Sequence, residues 1–158
     1  MMVSKREGSC LCGAVQFTAG EPLRPIVYCH CRQCRKQTGH FLASTATALD
    51  RFQLTCDQGL AWYRASEIAT RGFCRICGST LFWQRDGADE ISIAAGTLDD
   101  STGLIEDGHI FCAEKGGYYE PAGGKYQVPG SDRPATPQPE VLALRKPSMS
   151  PYPVKRRS

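Results

Sequence analysis

Seven of the nine cysteines in this chain fall in tight clusters: Cys10 and Cys12, then Cys29, Cys31 and Cys34, then Cys74 and Cys77. Neighbours two or three residues apart rarely bridge to one another with relaxed geometry, yet their sulfurs converge readily on a single ion. In an extended strand residues i and i+2 share a face, so each Cys-x-Cys presents two thiolates together while the residue between them, Leu11 or His30, faces away. A Cys-x-x-Cys does the same through a tight turn, and Gly78 after Cys77 supplies the positive φ that lets backbone amides curl toward sulfur. The run Cys31-Arg32-Gln33-Cys34 has no such glycine and leads into a short basic helix expected over 32–38, closed by Gly39. Amides at that helix start are expected to favour a thiolate at Cys34.

The seven clustered cysteines divide naturally for zinc into four and three. Four make a closed structural site; three leave one position open to water or substrate, and an open position implies chemistry. Spacing alone leaves open which pair joins Cys74 and Cys77, and also whether His30 or a remote residue closes the second site as another structural zinc. An odd number of cysteines cannot pair fully within one chain, and a reducing compartment keeps such thiols free. Cys56 and Cys112 are left over and read as small buried residues.

Beside the thiols stand a few candidates for substrate work. Arg32, Arg35 and Lys36 flank the open site and suit a substrate's carboxylates, although a solvated helix face fits them equally well. His109 is the candidate proton relay, because a reference pKa of about 6.5 suits that task; without further context it reads as a strand-edge residue bonded to backbone. His40 falls in a loop, Asp99 and Asp100 read as turn formers, and Trp62 and Trp83 read as core.

The elements that must position these residues are short and β-rich. Alternating or apolar runs at 14–18, 26–28, 43–49, 60–64, 80–84, 90–94 and 109–112 are separated by glycine-containing turns, and no segment sustains a 3.6-residue period beyond the short helix. A length of 158 residues suits one modest core, and no stretch approaches the roughly 20 apolar residues of a membrane helix. The first ten residues have no apolar signal region, so a soluble, cytoplasmic protein is expected. Seven of the ten prolines follow Val128. The division is therefore 1–128 as a zinc-binding β domain and 129–158 as a Pro-rich basic tail, expected to be disordered because it buries too little to offset its ordering entropy. That tail holds six basic residues against Asp132 and Glu140, so the remainder of a chain of net charge +3 is slightly acidic. A basic face for nucleic acid is not a property of the folded part.

Over residues 8 to 120 five motifs stand in order: Gly8-Ser9-Cys10-Leu11-Cys12-Gly13-Ala14-Val15; Tyr28-Cys29-His30-Cys31-Arg32-Gln33-Cys34-Arg35-Lys36 with Thr38-Gly39; Phe73-Cys74-Arg75-Ile76-Cys77-Gly78-Ser79; Gly96-Thr97-Leu98-Asp99; and His109-Ile110. Together they resemble the glutathione-dependent formaldehyde-activating family, whose domain is shared with centromere protein V. The resemblance implies a mainly β, Mss4-like (β-tent) domain with two zinc ions per chain, the second of them labile. It implies that Cys10, Cys12, Cys74 and Cys77 hold the structural zinc, and that Cys29, Cys31 and Cys34 hold the more exposed, functional one. The implied reaction is that of a carbon-sulfur lyase, joining glutathione or a related small thiol to a small aldehyde such as formaldehyde. The alternative is a non-catalytic zinc protein that binds glutathione or a macromolecular partner. In one place the chain departs from the family pattern: Tyr118-Tyr119 after Gly116-Gly117 stands where a Trp is usual, in a region expected to shape the substrate pocket.

Overall fold

In β2 (Gln16–Gly20) the alternation expected of a half-buried strand is explicit, with Phe17 and Ala19 inward and Thr18 between them. The strand pairs antiparallel with β1 (Lys5–Ser9) on one side and β5 (Phe52–Cys56) on the other, forming a three-stranded sheet. The computed structural model describes residues 4–131, so the tail expected to be disordered lies, apart from its first three residues, outside the described residues.

Seven strands form the second sheet: β3 (Ile26–Cys29), β4 (Leu42–Ala48), β6 (Leu60–Arg64), β7 (Ala69–Cys74), β8 (Thr80–Arg85), β9 (Glu90–Ala94) and β10 (Glu106–Ile110). Their order is β10-β3-β4-β9-β8-β7-β6, antiparallel throughout except that β10 runs parallel to β3. Ser44, Thr45, Ala46 and Thr47 of the central β4 are all buried, because both faces of that strand are covered. The one α-helix, α1 (Arg32–Thr38), follows β3 and ends at Gly39, whose φ of 84° is the left-handed stop expected of it. Among the described residues the fold is mainly β with a single α-helix, as the sequence indicates. Among the described residues no helix is long and apolar enough to cross a membrane.

The two sheets meet through aromatic rings. Phe17 of β2 and Phe52 of β5 lie 5.1 and 5.2 Å from the ring of Phe82 in β8, both edge to face. Cys10 and Cys74 belong to the same buried cluster, as do Val15, Leu81, Ile91 and Ile93. Phe17→Ala empties the middle of this contact and is expected to destabilise the domain by about 3–5 kcal/mol, read as a lowered urea midpoint with an unchanged slope.

Expectation and structure part company at the last strand. It was expected over 109–112, but it runs Glu106–Ile110, and Phe111 turns to a φ of 55° before a 3-10 turn that begins at Cys112. Ordered hydrogen bonding continues past Val128: the Pro129 and Gly130 carbonyls accept from Ala113 and Phe111. Trp62 packs against the core beside Phe82, whereas Trp83 sits half-buried on the other face of β8. Asp100 closes a turn by accepting the Thr102 amide at 2.8 Å.

Candidate functional site

The sulfurs of Cys10, Cys12, Cys74 and Cys77 lie within 4.8 Å of one another, and so do those of Cys29, Cys31 and Cys34. The pairing that spacing left open is therefore Cys10-Cys12 with Cys74-Cys77. A tetrahedral zinc with bonds of about 2.3 Å sets its sulfurs about 3.8 Å apart. The contacts Cys10–Cys12 and Cys12–Cys74 measure 3.6 and 3.7 Å, close to that edge and far beyond a disulfide bond. All nine cysteines are free. Both clusters fit a metal ion.

The four-cysteine cluster is built from two turns. After β1 the chain reverses through Cys10–Gly13, and the Val15 amide donates to Cys10 Sγ at 3.2 Å. After β7 the turn Cys74–Gly78 closes with the Gly78 amide on the Cys74 carbonyl at 2.8 Å, and Gly78 takes the positive φ, 79°, that its motif requires. Ser79 joins the two turns: its oxygen accepts the Leu11 amide at 3.0 Å and its hydroxyl lies 3.2 Å from Cys77 Sγ. That hydroxyl bond, followed by the Ser79 amide, holds the Cys77 thiol down to about 5, in the range where sulfur is a ready metal ligand.

The three-cysteine cluster sits where β3 passes into α1. Cys29 ends the strand, Cys31 is the N-cap of the helix and Cys34 lies in its first turn. Here one expectation is corrected. The Cys34 amide points at Cys31 Sγ, 3.4 Å away, so the helix start favours a thiolate at Cys31, which stands outside the helix, and not at Cys34. Hydrogen bonds from Cys29 and Cys34 first, aided by that amide, hold Cys31 down to about 2, and the same sharing pushes Cys29 far up. Among the described residues no fourth His, Cys, Asp or Glu joins this group.

His30 does not close it. The side chain is fully buried, with Nε2 2.8 Å from His109 Nδ1 and Nδ1 on the Tyr119 hydroxyl. His109 Nε2 lies 3.1 Å from the Ala122 carbonyl. A carbonyl only accepts, so His109 carries its proton on Nε2 and must accept on Nδ1; His30 then donates from Nε2 and accepts on Nδ1 from Tyr119. One direction runs through the whole chain, Tyr119 to His30 to His109 to Ala122. Burial first, then the charges of His109, His40 and Lys115, push His30 down to about 4.

His109, 2% exposed, therefore forms the inner part of this chain. The outer end of the chain is Tyr119, half-buried among Phe41, His40 and Tyr118, with Tyr118 sharing a hydrogen bond of 2.6 Å with His40 Nδ1. The departure noted at Tyr118-Tyr119 falls in this aromatic group. Burial raises the Tyr119 phenol, so it stays protonated, while Arg35 on α1 is close enough for its charge to act on it. Arg32 and Lys36 lie on the exposed face of α1. Cys56 donates to the Ala14 carbonyl and Cys112 opens a 3-10 turn; both are half-buried and neither joins a cluster.

Arg71 and the partner of Tyr119 stayed out of reach of sequence reasoning. Tyr119 had no recognisable partner, since His30 lies far away in the chain. Arg71 of β7 is 5% exposed and donates to Cys34 Sγ at 3.5 Å, to Gln37 Oε1 at 3.0 Å and to Gln33 Oε1 at 3.3 Å.

Comparison with known proteins adds three findings. A family described as "Glutathione-dependent formaldehyde-activating enzyme" matches residues 5–114. An uncharacterized lyase of Schizosaccharomyces pombe is 32% identical over 78 residues, which are 49% of this chain; the chain spans little more than half, 56%, of that relative. The crystal structure of a Rhodobacter sphaeroides protein superposes with a TM-score of 0.52 at 26% identity, covering 65% of this chain and 98% of the other.

Proposed function

The chain belongs to the glutathione-dependent formaldehyde-activating enzyme family, and from that premise we propose that it is a zinc-dependent carbon-sulfur lyase that joins glutathione, or a related thiol, to formaldehyde or another small aldehyde. The observation that carries this reading is the inequality of the two cysteine groups: four sulfurs in one, three in the other. Cys10, Cys12, Cys74 and Cys77 would hold a structural zinc; Cys29, Cys31 and Cys34 would hold the functional one. Zinc bound by three thiolates supplies activation of a further thiol as a nucleophile, with modest Lewis acidity.

The remaining work falls to the chain's own residues. In the net reaction a thiol S–H and an aldehyde C=O give a C–S bond and a hydroxyl, so one proton leaves sulfur and one reaches oxygen, with no redox change. The Tyr119 oxygen accepts the first proton while its own passes to His30 Nδ1, and His30 passes its Nε2 proton to His109 Nδ1. His109 thus stores the proton as an imidazolium and returns it along the same path to the new alkoxide. This keeps His109 in the reaction, at the inner end of the relay. Arg35, with Arg32 and Lys36 further out, supplies cations for the carboxylates of glutathione.

Metal content and the rate of adduct formation against the uncatalysed control test the proposal. Two zinc ions per chain and a rate well above control are expected; two zincs with no acceleration favour the binding-protein alternative. Tyr119→Phe removes only the hydroxyl and is expected to slow the addition by about a hundred-fold while leaving glutathione binding unchanged, as judged by calorimetry beside stopped-flow rates.

A further inference from the structure

A buried guanidinium normally sits against a carboxylate, since an unpaired buried charge is strongly unfavourable. Arg71 does not. Among the described residues it makes no salt bridge to Asp or Glu; its partners are the neutral amides of Gln33 and Gln37 and the sulfur of Cys34. Its Nε has no hydrogen-bond partner among the described residues. The anion this cation faces is therefore the three-cysteine group. A divalent ion held by three thiolates keeps one net negative charge, and the guanidinium balances it.

Two amides fix the fork. Gln33 and Gln37 are one helical turn apart on α1 and flank Cys34. Gln33 donates its Nε2 to the Ala65 carbonyl at 3.0 Å, which leaves its oxygen for Arg71. Arg71 in turn stands three residues before Cys74 on β7, so one strand carries a ligand of the four-cysteine centre and the counter-charge of the other.

We infer that Arg71 is a positioning residue of the three-cysteine centre, neutralising its charge and holding the Cys34 thiolate through the guanidinium bond that Gln33 and Gln37 orient. The inference rests on the reading of that centre as a metal site. In its absence the Cys34 sulfur becomes more electron-rich and the buried cluster less favourable, so the ion is held more weakly.

Cobalt(II) loaded into the full chain is the probe, because its sulfur-to-metal charge-transfer band follows the electron density on the thiolates. Arg71→Met removes the charge and the hydrogen bond, Arg71→Lys keeps the charge without the fork, and Gln37→Ala loosens only the tether. In chelator competition Arg71→Met is expected to weaken metal binding at the three-cysteine centre by about ten- to a hundred-fold and to move its band to lower energy. The four-cysteine centre should keep its metal. Arg71→Lys should recover part of the affinity without restoring the band, and Gln37→Ala should shift both slightly in the same direction. If Arg71→Met fails to fold, the other two variants decide the matter. Two metals per chain with affinity and band unchanged in the variants overturn the role of Arg71 alone. A wild-type chain that takes up one metal overturns this inference together with the metal reading beneath it.

Discussion

Cys74→Ala is expected to abolish cooperative folding, and the wild-type chain is expected to melt in one transition only while metal is bound. Cys10 and Cys12 follow β1 of the small sheet, and Cys74 and Cys77 join β7 to β8 of the large one. One ion at that place would therefore staple the two sheets at the edge of their shared core. Cys74 is fully buried and packed in that core, so the substitution removes a ligand and opens a cavity at once. Structural zinc contributes about 10–16 kcal/mol in small zinc-binding peptides, as much as the whole net stability of an ordinary domain, roughly 5–15 kcal/mol. Circular dichroism melts with metal analysis check this: the variant should show no sigmoidal transition and less than one equivalent at the closed centre. Excess chelator should bring the wild type to the same state. A cooperative melt in Cys74→Ala would show that the aromatic contact of Phe17, Phe52 and Phe82 holds the sheets together unaided.

The closed centre was legible because its signal is local. Two sulfurs per turn, with Gly13 and Gly78 at the positions that take a positive φ, mark each half of it before any fold is known, although which pair joins Cys74 and Cys77 emerges only in the fold. α1 was equally readable, since Cys31 before it and Gly39 after it are short-range signals. Of the overlooked strands β1, β5 and β7, β5 does alternate, whereas the other two have no such mark. β7 reads Ala-Thr-Arg-Gly-Phe-Cys and buries Ala69, Arg71, Gly72 and Cys74 on both its faces, so no alternation shows. β1 is Lys-Arg-Glu-Gly-Ser, and its pairing with β2 comes from tertiary context that overrides propensity. The hydrogen-bonded chain of Tyr119, His30 and His109 was hidden for a different reason. His30 and His109 meet only because β10 lies parallel beside β3, placing His109 opposite Tyr28, and a parallel pairing across most of the chain leaves no periodic trace. His109 could be chosen by residue type, but its inward role follows from the Ala122 carbonyl, which fixes its tautomer.

The open centre calls for a variant that disables chemistry without disturbing structure, and the geometry selects Cys31→Ser. Cys34 is a poor choice: it is 3% exposed and bonded to Arg71, so truncating it would strand a buried cation. Cys31 is half-buried and serves as the N-cap of α1, accepting the Cys34 amide. Serine is among the best N-cap residues and keeps that bond, while its hydroxyl replaces a soft thiolate ligand. The expected result is a domain that melts within about 5 °C of the wild type, since the cap and the core are intact. The rate of thiol addition should fall to the uncatalysed level, which exchange measurements on labelled formaldehyde and glutathione read directly. Metal content should drop toward one ion per chain, retained by the four-cysteine centre. A Cys31→Ser chain with wild-type rate would remove the three-cysteine centre from the reaction. Unfolding as complete as that of Cys74→Ala would instead make the centre structural, because a site that only assists chemistry is not needed to hold β3 and α1 in place.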